Sequence, residues 1–249
     1  MRSFIQLPPP SLRTSALRHS VAVFLLLAGL ALALVALFQL PPSTIWQALG
    51  LFVGLLAVVV LPFLHRHQPL TRFGPANGVT LLRAGITALI GGLLGQPPEW
   101  PANVAWLVAA LAGIALALDG LDGWLARRGG WQSAFGARFD MEVDACFILI
   151  LAVLVHQAEK AGGWVILSGL LRYGFVALSY VLPWLAQPLP PRKRRQAICV
   201  AQTALLVLCL IPLLVPPWTT GLAASALALL VWSFTVDVLW LARQAHAAW

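Results

Sequence analysis

The chain has 249 residues, 60% of them hydrophobic and only 10% charged, with a mean hydropathy of +0.87 and a net charge of +8. A soluble domain carries about a quarter charged residues and lacks repeated apolar runs of about 20 residues, so composition excludes the soluble globular classes and points to the bilayer. The positive balance is accounted for by topology and by attraction to anionic headgroups, and no nucleic-acid partner is expected.

In chain order, apolar runs place spans at Ser20–Leu40, Thr44–Leu64, Gly78–Leu94, Ala102–Leu118, Val143–His156, Trp164–Leu185, Ala197–Val215 and Gly221–Leu241. Proline and glycine punctuate the breaks at "LPPS", "QPPEW", "AGGW", "QPLPPRKRR" and "VPPW". The basic start resembles a secretory signal, but the apolar run behind it is longer than the usual signal core and more spans follow, so an uncleaved first helix is expected. The expected class is an all-α integral membrane protein.

Orientation follows from the sixteen Lys and Arg residues. Arg2, Arg13, Arg18, Arg66, Arg72, Arg127, Arg128, Arg138, Arg192, Lys193, Arg194, Arg195 and Arg243 all fall on one side if every span crosses, and the opposite loops offer only Lys160. The positive-inside rule then assigns both termini to the cytoplasm, as expected for a multi-pass protein of a bacterial inner membrane. Cys146, Cys199 and Cys209 lie in or near apolar spans without CxxC spacing, and are read as helix-packing residues.

Five of the eight acidic residues lie in the stretch from Asp119 to Asp144, between two long apolar runs on the cytoplasmic side. Asp119 and Asp122 are spaced i,i+3 and Asp140 and Asp144 i,i+4, so each pair shares a helix face. Gly123 and Ala126 lie one turn beyond the first pair and Gly136 one turn before the second, where missing side chains let a ligand approach the backbone. Clustered carboxylates suit a hard cation, Mg²⁺ or Mn²⁺, rather than zinc. A solvated loop would account for Glu142 but needs no matched pairs.

Asp119, Asp122, Gly123, Ala126, Arg127, Gly136, Asp140 and Asp144 match D-x2-D-G-x2-A-R-x8-G-x3-D-x3-D, which resembles the CDP-alcohol phosphatidyltransferase family. Upstream, "PANGVTLLR" looks like the family's P-N-x-x-T-x-x-R start of the first core helix, departing by one alanine between Pro75 and Asn77. The resemblance implies a six-helix transferase core over residues 75–249, preceded in residues 1–74 by a cytoplasmic segment and two accessory transmembrane helices. It also implies two divalent cations, a CDP-linked lipid donor such as CDP-diacylglycerol, a small alcohol acceptor, release of CMP, and a homodimer in contact with membrane lipid.

By the same resemblance Asp119, Asp122, Asp140 and Asp144 are metal ligands and Asp144 is also the catalytic base. Asn77, Thr80, Asp122, Gly123, Ala126, Arg127 and Gly136 form the nucleotide-binding set, with Arg127 on a phosphate. Arg172 in "LLRYGF" joins them as an acceptor-site residue, because an arginine inside a membrane is a functional candidate; helix pairing is the alternative. The run Arg192–Arg195 serves either topology or a phosphorylated acceptor, with glycerol 3-phosphate favoured. Asp237 is read as a residue that packs in the bundle or pairs with a cation such as Arg243. Two other classes compete. A prenyltransferase would show two widely separated acidic motifs, and a transporter mid-span acids with paired halves; this chain has one compact cluster and no internal repeat.

Overall fold

The computed structural model describes residues 8–96, 100–187, 189–190 and 192–247; Arg2, among the orientation charges, lies outside them, as does part of two of the breaks. Eight long helical segments and no strand occur among the described residues: α1 Pro10–Phe38, α2 Ser43–Leu55 continuing to His67, α3 Gly74–Gly91, α4 Ala102–Gly129, α5 Ala134–Gln157, α6 Leu167–Val181 behind a 3₁₀ turn, α7 Lys193–Cys209 and α8 Trp218–Ala247. By length and composition α1, α2 to His67, α4, α6 with its leading turn, and α8 suffice to cross a membrane. This is an all-α integral membrane protein. The other three helices carry polar faces, such as Asn77, Thr80 and Arg83 on α3 and Asp140 and Asp144 on α5.

Several helices run past the ends of the apolar runs, whereas α3 and α7 stop short of theirs, at Gly91 and Cys209. α1 begins at Pro10, ten residues before Ser20, and α5 at Ala134, nine before Val143; α4 continues eleven residues past Leu118. Hydropathy marks where a chain enters an apolar solvent, whereas the backbone hydrogen-bond ladder continues into the polar zone until a cap stops it. α1 stops at Gln39, which takes the left-handed conformation before Pro41 and Pro42. In α2, Pro62 offers no N–H, and the ladder widens into a π turn over Leu56–Val60 just ahead of it.

The chain forms two compact units, one of residues 1–96 and 110–147, the other of 97–109 and 148–249. In the first, α1, α2 and α3 pack pairwise around a core that includes Ala16, Ala31, Ala48, Phe52, Ala84 and Ala88. Small side chains allow such close packing where lipid offers no hydrophobic drive. Phe73, Phe135 and Phe139 extend this core onto α5, the last two stacked at 5.7 Å between centroids.

At "PANGVTLLR" the chain enters α3 directly: Pro75 sits in the first turn, where a missing N–H costs nothing, and Ala76 and Asn77 follow it inside the helix. Gly74 before it has φ +80°, and a Cβ there would lie 2.5 Å from the Trp131 ring. Gly74→Ala should therefore lower the thermal midpoint, since the left-handed conformation alone costs about 1–2 kcal/mol and the ring must also move. An unchanged midpoint in detergent would show that the Gly74–Trp131 contact is dispensable.

In the second unit, α7 packs against α8, and several polar groups are paired internally. Lys160 Nζ donates to the Leu214 carbonyl, Thr219 Oγ1 donates to the Lys160 carbonyl at 2.6 Å, and Gln202 Nε2 donates to the Ser168 carbonyl at 3.2 Å. The cysteines are all free thiols, Cys209 buried and the other two half-buried, in keeping with a packing role.

Candidate active site

Two capping devices set the aspartate pairs side by side. α4 ends in a Schellman turn: Gly130 takes φ +68° and the Trp131 N–H donates to the Ala126 carbonyl at 3.1 Å. Three residues later Ser133 caps α5, its Oγ accepting the Gly136 N–H at 2.9 Å. The connection therefore has no slack.

Arg83 from α3 lies at the meeting point, with only 2% of its side chain exposed. Its Nη1 contacts Asp122 Oδ2 at 2.8 Å and Asp140 Oδ1 at 2.7 Å; its Nη2 contacts Asp119 Oδ1 at 2.7 Å and Asp144 Oδ1. Each terminal nitrogen carries two N–H groups; three of the contacts, to Asp122, Asp140 and Asp144, are hydrogen bonds, and the fourth, to Asp119, is an ion pair. These contacts leave a second oxygen on every aspartate. Thr80 Oγ1 supports the arrangement, 3.0 Å from Asp122 Oδ2 and 3.1 Å from the Ala76 carbonyl.

The constellation has a closed side and an open side. Asp122 is buried, whereas Asp119, Asp144 and Asp140 are 23%, 24% and 41% exposed. Those three offer one oxygen each, all within 4.8 Å of one another. Like charges at that distance repel by on the order of 3 kcal/mol per pair at an effective dielectric of about 20. One guanidinium cannot offset four carboxylates, and an all-oxygen donor set open to solvent fits a hard divalent cation.

The geometry narrows several sequence expectations. Asp122 stands outside the open triad, held by Arg83 and Thr80. Asn77 is buried, its Nδ2 donating to the Phe73 carbonyl at 2.6 Å. A Cβ on Gly136 would lie 2.9 Å from Asn77 Oδ1 and 3.2 Å from Ser133 Oγ, so the room that glycine provides there is taken by protein atoms. Beside Gly123 the space holds the Arg127 guanidinium, 3.1 Å from where a Cβ would be. Ala126 supplies the carbonyl of the Schellman turn, and Arg128 lies over the Trp124 ring at 5.2 Å. Glu142 leaves the cluster for Arg138 at 3.7 Å.

Arg172 is half-buried on α6 in the second unit, and its acceptor role rests on the sequence alone. Asp237 does pair with a cation, but with Arg194 rather than Arg243: Arg194 Nη2 lies 2.5 Å from Asp237 Oδ1 and Arg195 Nη1 4.0 Å from Oδ2. The packing of α7 on α8 brings the distant arginine closer than the one a turn and a half along the same helix.

Arg83 is the residue that sequence reasoning left without a role, although it closes the quoted "PANGVTLLR". The available signal was an arginine inside an apolar run, which demands a partner, in a chain whose acids are concentrated in one stretch.

A model of the CDP-alcohol phosphatidyltransferase family matches residues 73–236. The chain belongs to that family. A CDP-alcohol phosphatidyltransferase transfers a substituted phosphate group from a CDP-alcohol to an alcohol acceptor in the setting of membrane lipid, and depends on a divalent metal. α1 and α2 precede the matched stretch, which contains the whole aspartate cluster. Comparison with curated proteins and with solved structures gives no match.

Proposed function

We propose that this transferase moves the phosphatidyl group of CDP-diacylglycerol to a small alcohol, with glycerol 3-phosphate the favoured acceptor, and releases CMP. The observation that carries the reading is the convergence of four aspartates from two capped helices on one buried arginine, with three carboxylates open on one side. Asp119, Asp122, Asp140 and Asp144 are proposed to hold two divalent cations. Bound there, Mg²⁺ or Mn²⁺ would polarise the donor diphosphate and offset charge on the attacking and leaving oxygens. Four carboxylates, one guanidinium and two dications sum to about +1, which suits an anionic diphosphate.

Asp144 takes the proton of the acceptor hydroxyl at a carboxylate oxygen. The new P–O bond forms as the phosphoanhydride bond breaks, and CMP carries the released electron pair. Arg127, exposed beside Gly123, is proposed to meet a nucleotide phosphate, a contact that its planar fork suits. Gly123 makes room for the Arg127 guanidinium and Gly136 for Asn77 and Ser133, Ala126 closes the turn that ends α4, and Thr80 supports Asp122, so these residues are proposed to serve the nucleotide from behind the carboxylates. The reading further assigns the core to residues 75–249, both termini and the cluster to the cytoplasmic face of a bacterial inner membrane, and the assembly to a homodimer. The prenyltransferase and transporter alternatives gain no specific observation.

The purified protein should release CMP from CDP-diacylglycerol with Mg²⁺ or Mn²⁺ and an acceptor, and excess EDTA should abolish that release. Full turnover in EDTA would end the metal account. A panel of acceptors scored by CMP release decides the alcohol; turnover with inositol phosphate or serine but not glycerol 3-phosphate would overturn the favoured choice.

A further inference from the structure

We infer that His67, at the end of the accessory helix pair, is a positioning residue for the metal-binding aspartates of α5 and acts through the Ser133 cap; the inference rests on the metal reading above. His67 lies outside the stretch that matches the family, and it is fully buried. Both ring nitrogens are engaged: Nε2 lies 2.9 Å from the Arg72 carbonyl and Nδ1 2.7 Å from Ser133 Oγ.

The partners assign the protons. A carbonyl only accepts, so Nε2 carries the hydrogen, and in the neutral ring Nδ1 is then an acceptor. Ser133 donates its hydroxyl proton to Nδ1, which turns its oxygen lone pairs toward the Gly136 N–H that it caps at 2.9 Å. The imidazole thus fixes the rotation of the hydroxyl that starts α5. A second contact reinforces the first, because the Phe135 ring meets His67 edge-on at 5.6 Å and belongs to the buried stripe Phe135, Phe139 and Val143. That stripe lies one residue along from Gly136, Asp140 and Asp144, about 100° around the helix.

Orientation at this cap matters because a carboxylate sits roughly 5–6 Å from its helix axis, so a 20° turn of α5 would move Asp140 and Asp144 by about 2 Å. Metal–ligand distances tolerate only about 0.2 Å. A side chain from the accessory helices that pins the cap therefore belongs to the apparatus of the metal site.

The test uses the full-length protein in detergent and reads Mn²⁺ binding directly, from the loss of the free-ion electron paramagnetic resonance signal, with thermal midpoints alongside. His67→Gln reaches toward the Arg72 carbonyl but offers Ser133 no acceptor, and should weaken Mn²⁺ binding by about 10- to 100-fold, as loss of an outer-sphere partner does. Ser133→Ala should weaken it to a similar extent, and the double variant should be no worse than either single one, since both cut one path. His67→Asn places an amide oxygen near the former Nδ1 and should restore most of the affinity. Wild-type Mn²⁺ affinity in Ser133→Ala or in folded His67→Gln would overturn the inference, leaving His67 a packing residue, and so would an equal loss in His67→Asn. If His67→Gln does not fold, Ser133→Ala alone decides. Absence of Mn²⁺ binding by the unaltered protein would instead remove the metal reading, and the inference with it.

Discussion

Asp144→Asn should cut CMP release by about 10²- to 10⁴-fold in a protein that still folds and binds nucleotide. Loss of a general base alone accounts for that range, and a weaker metal site adds to it. Asparagine keeps the shape of the side chain and can still accept from Arg83 Nη2 through its amide oxygen, so the cluster should stay assembled. Glu142→Gln is the control, because Glu142 lies toward Arg138 on another face of α5 and should be nearly silent. Equal losses in the two folded variants would mean that the cluster acts only through net charge, and Asp144 would have no special role.

Arg83→Met should be the most destabilising single change near the site. It leaves four carboxylates without the group that each of them contacts, and removing one partner from a buried ion network typically costs about 3–5 kcal/mol. For a chain of this size that corresponds to roughly 10 °C in thermal midpoint. The variant should regain more stability from added Mn²⁺ than the unaltered protein does, because dications replace the lost charge. Arg83→Lys should rescue only partly, since a single ammonium with three donors cannot meet four carboxylates. A wild-type midpoint for Arg83→Met would show that the aspartates are organised without it.

Much of this was legible in the sequence. The apolar runs locate all eight helical segments, and the spacing of Asp119, Asp122, Asp140 and Asp144 identifies the cluster, because helix periodicity alone puts each pair on a face. What the runs could not give was where helices stop. α4 carries Asp119, Asp122 and Arg127 inside its regular ladder, yet hydropathy reads charged residues as an exit from the membrane. Long-range partners were equally hidden. Arg194 reaches Asp237 across 43 residues and His67 reaches Ser133 across 66, and nothing local in either segment encodes the other. Arg83 lies between these cases, as a charge whose cost in an apolar setting announces a partner without saying which.

The connection between α4 and α5 also works as a gauge of length. Surface loops are where chains ordinarily accept insertions, since a few extra residues cost little. Here a Schellman turn over Gly130 and Trp131 is followed almost at once by the Ser133 cap, and both ends are tied to other helices, Trp131 to Gly74 and Ser133 to His67. One residue added after the cap would rotate Asp140 and Asp144 by about 100° relative to Arg83, and one added before it would pull the cap from His67. The eight residues separating Arg127 from Gly136 in the signature are thus a mechanical specification: their number, together with the Gly130 turn and the Ser133 cap among them, determines whether the two halves of the cluster meet.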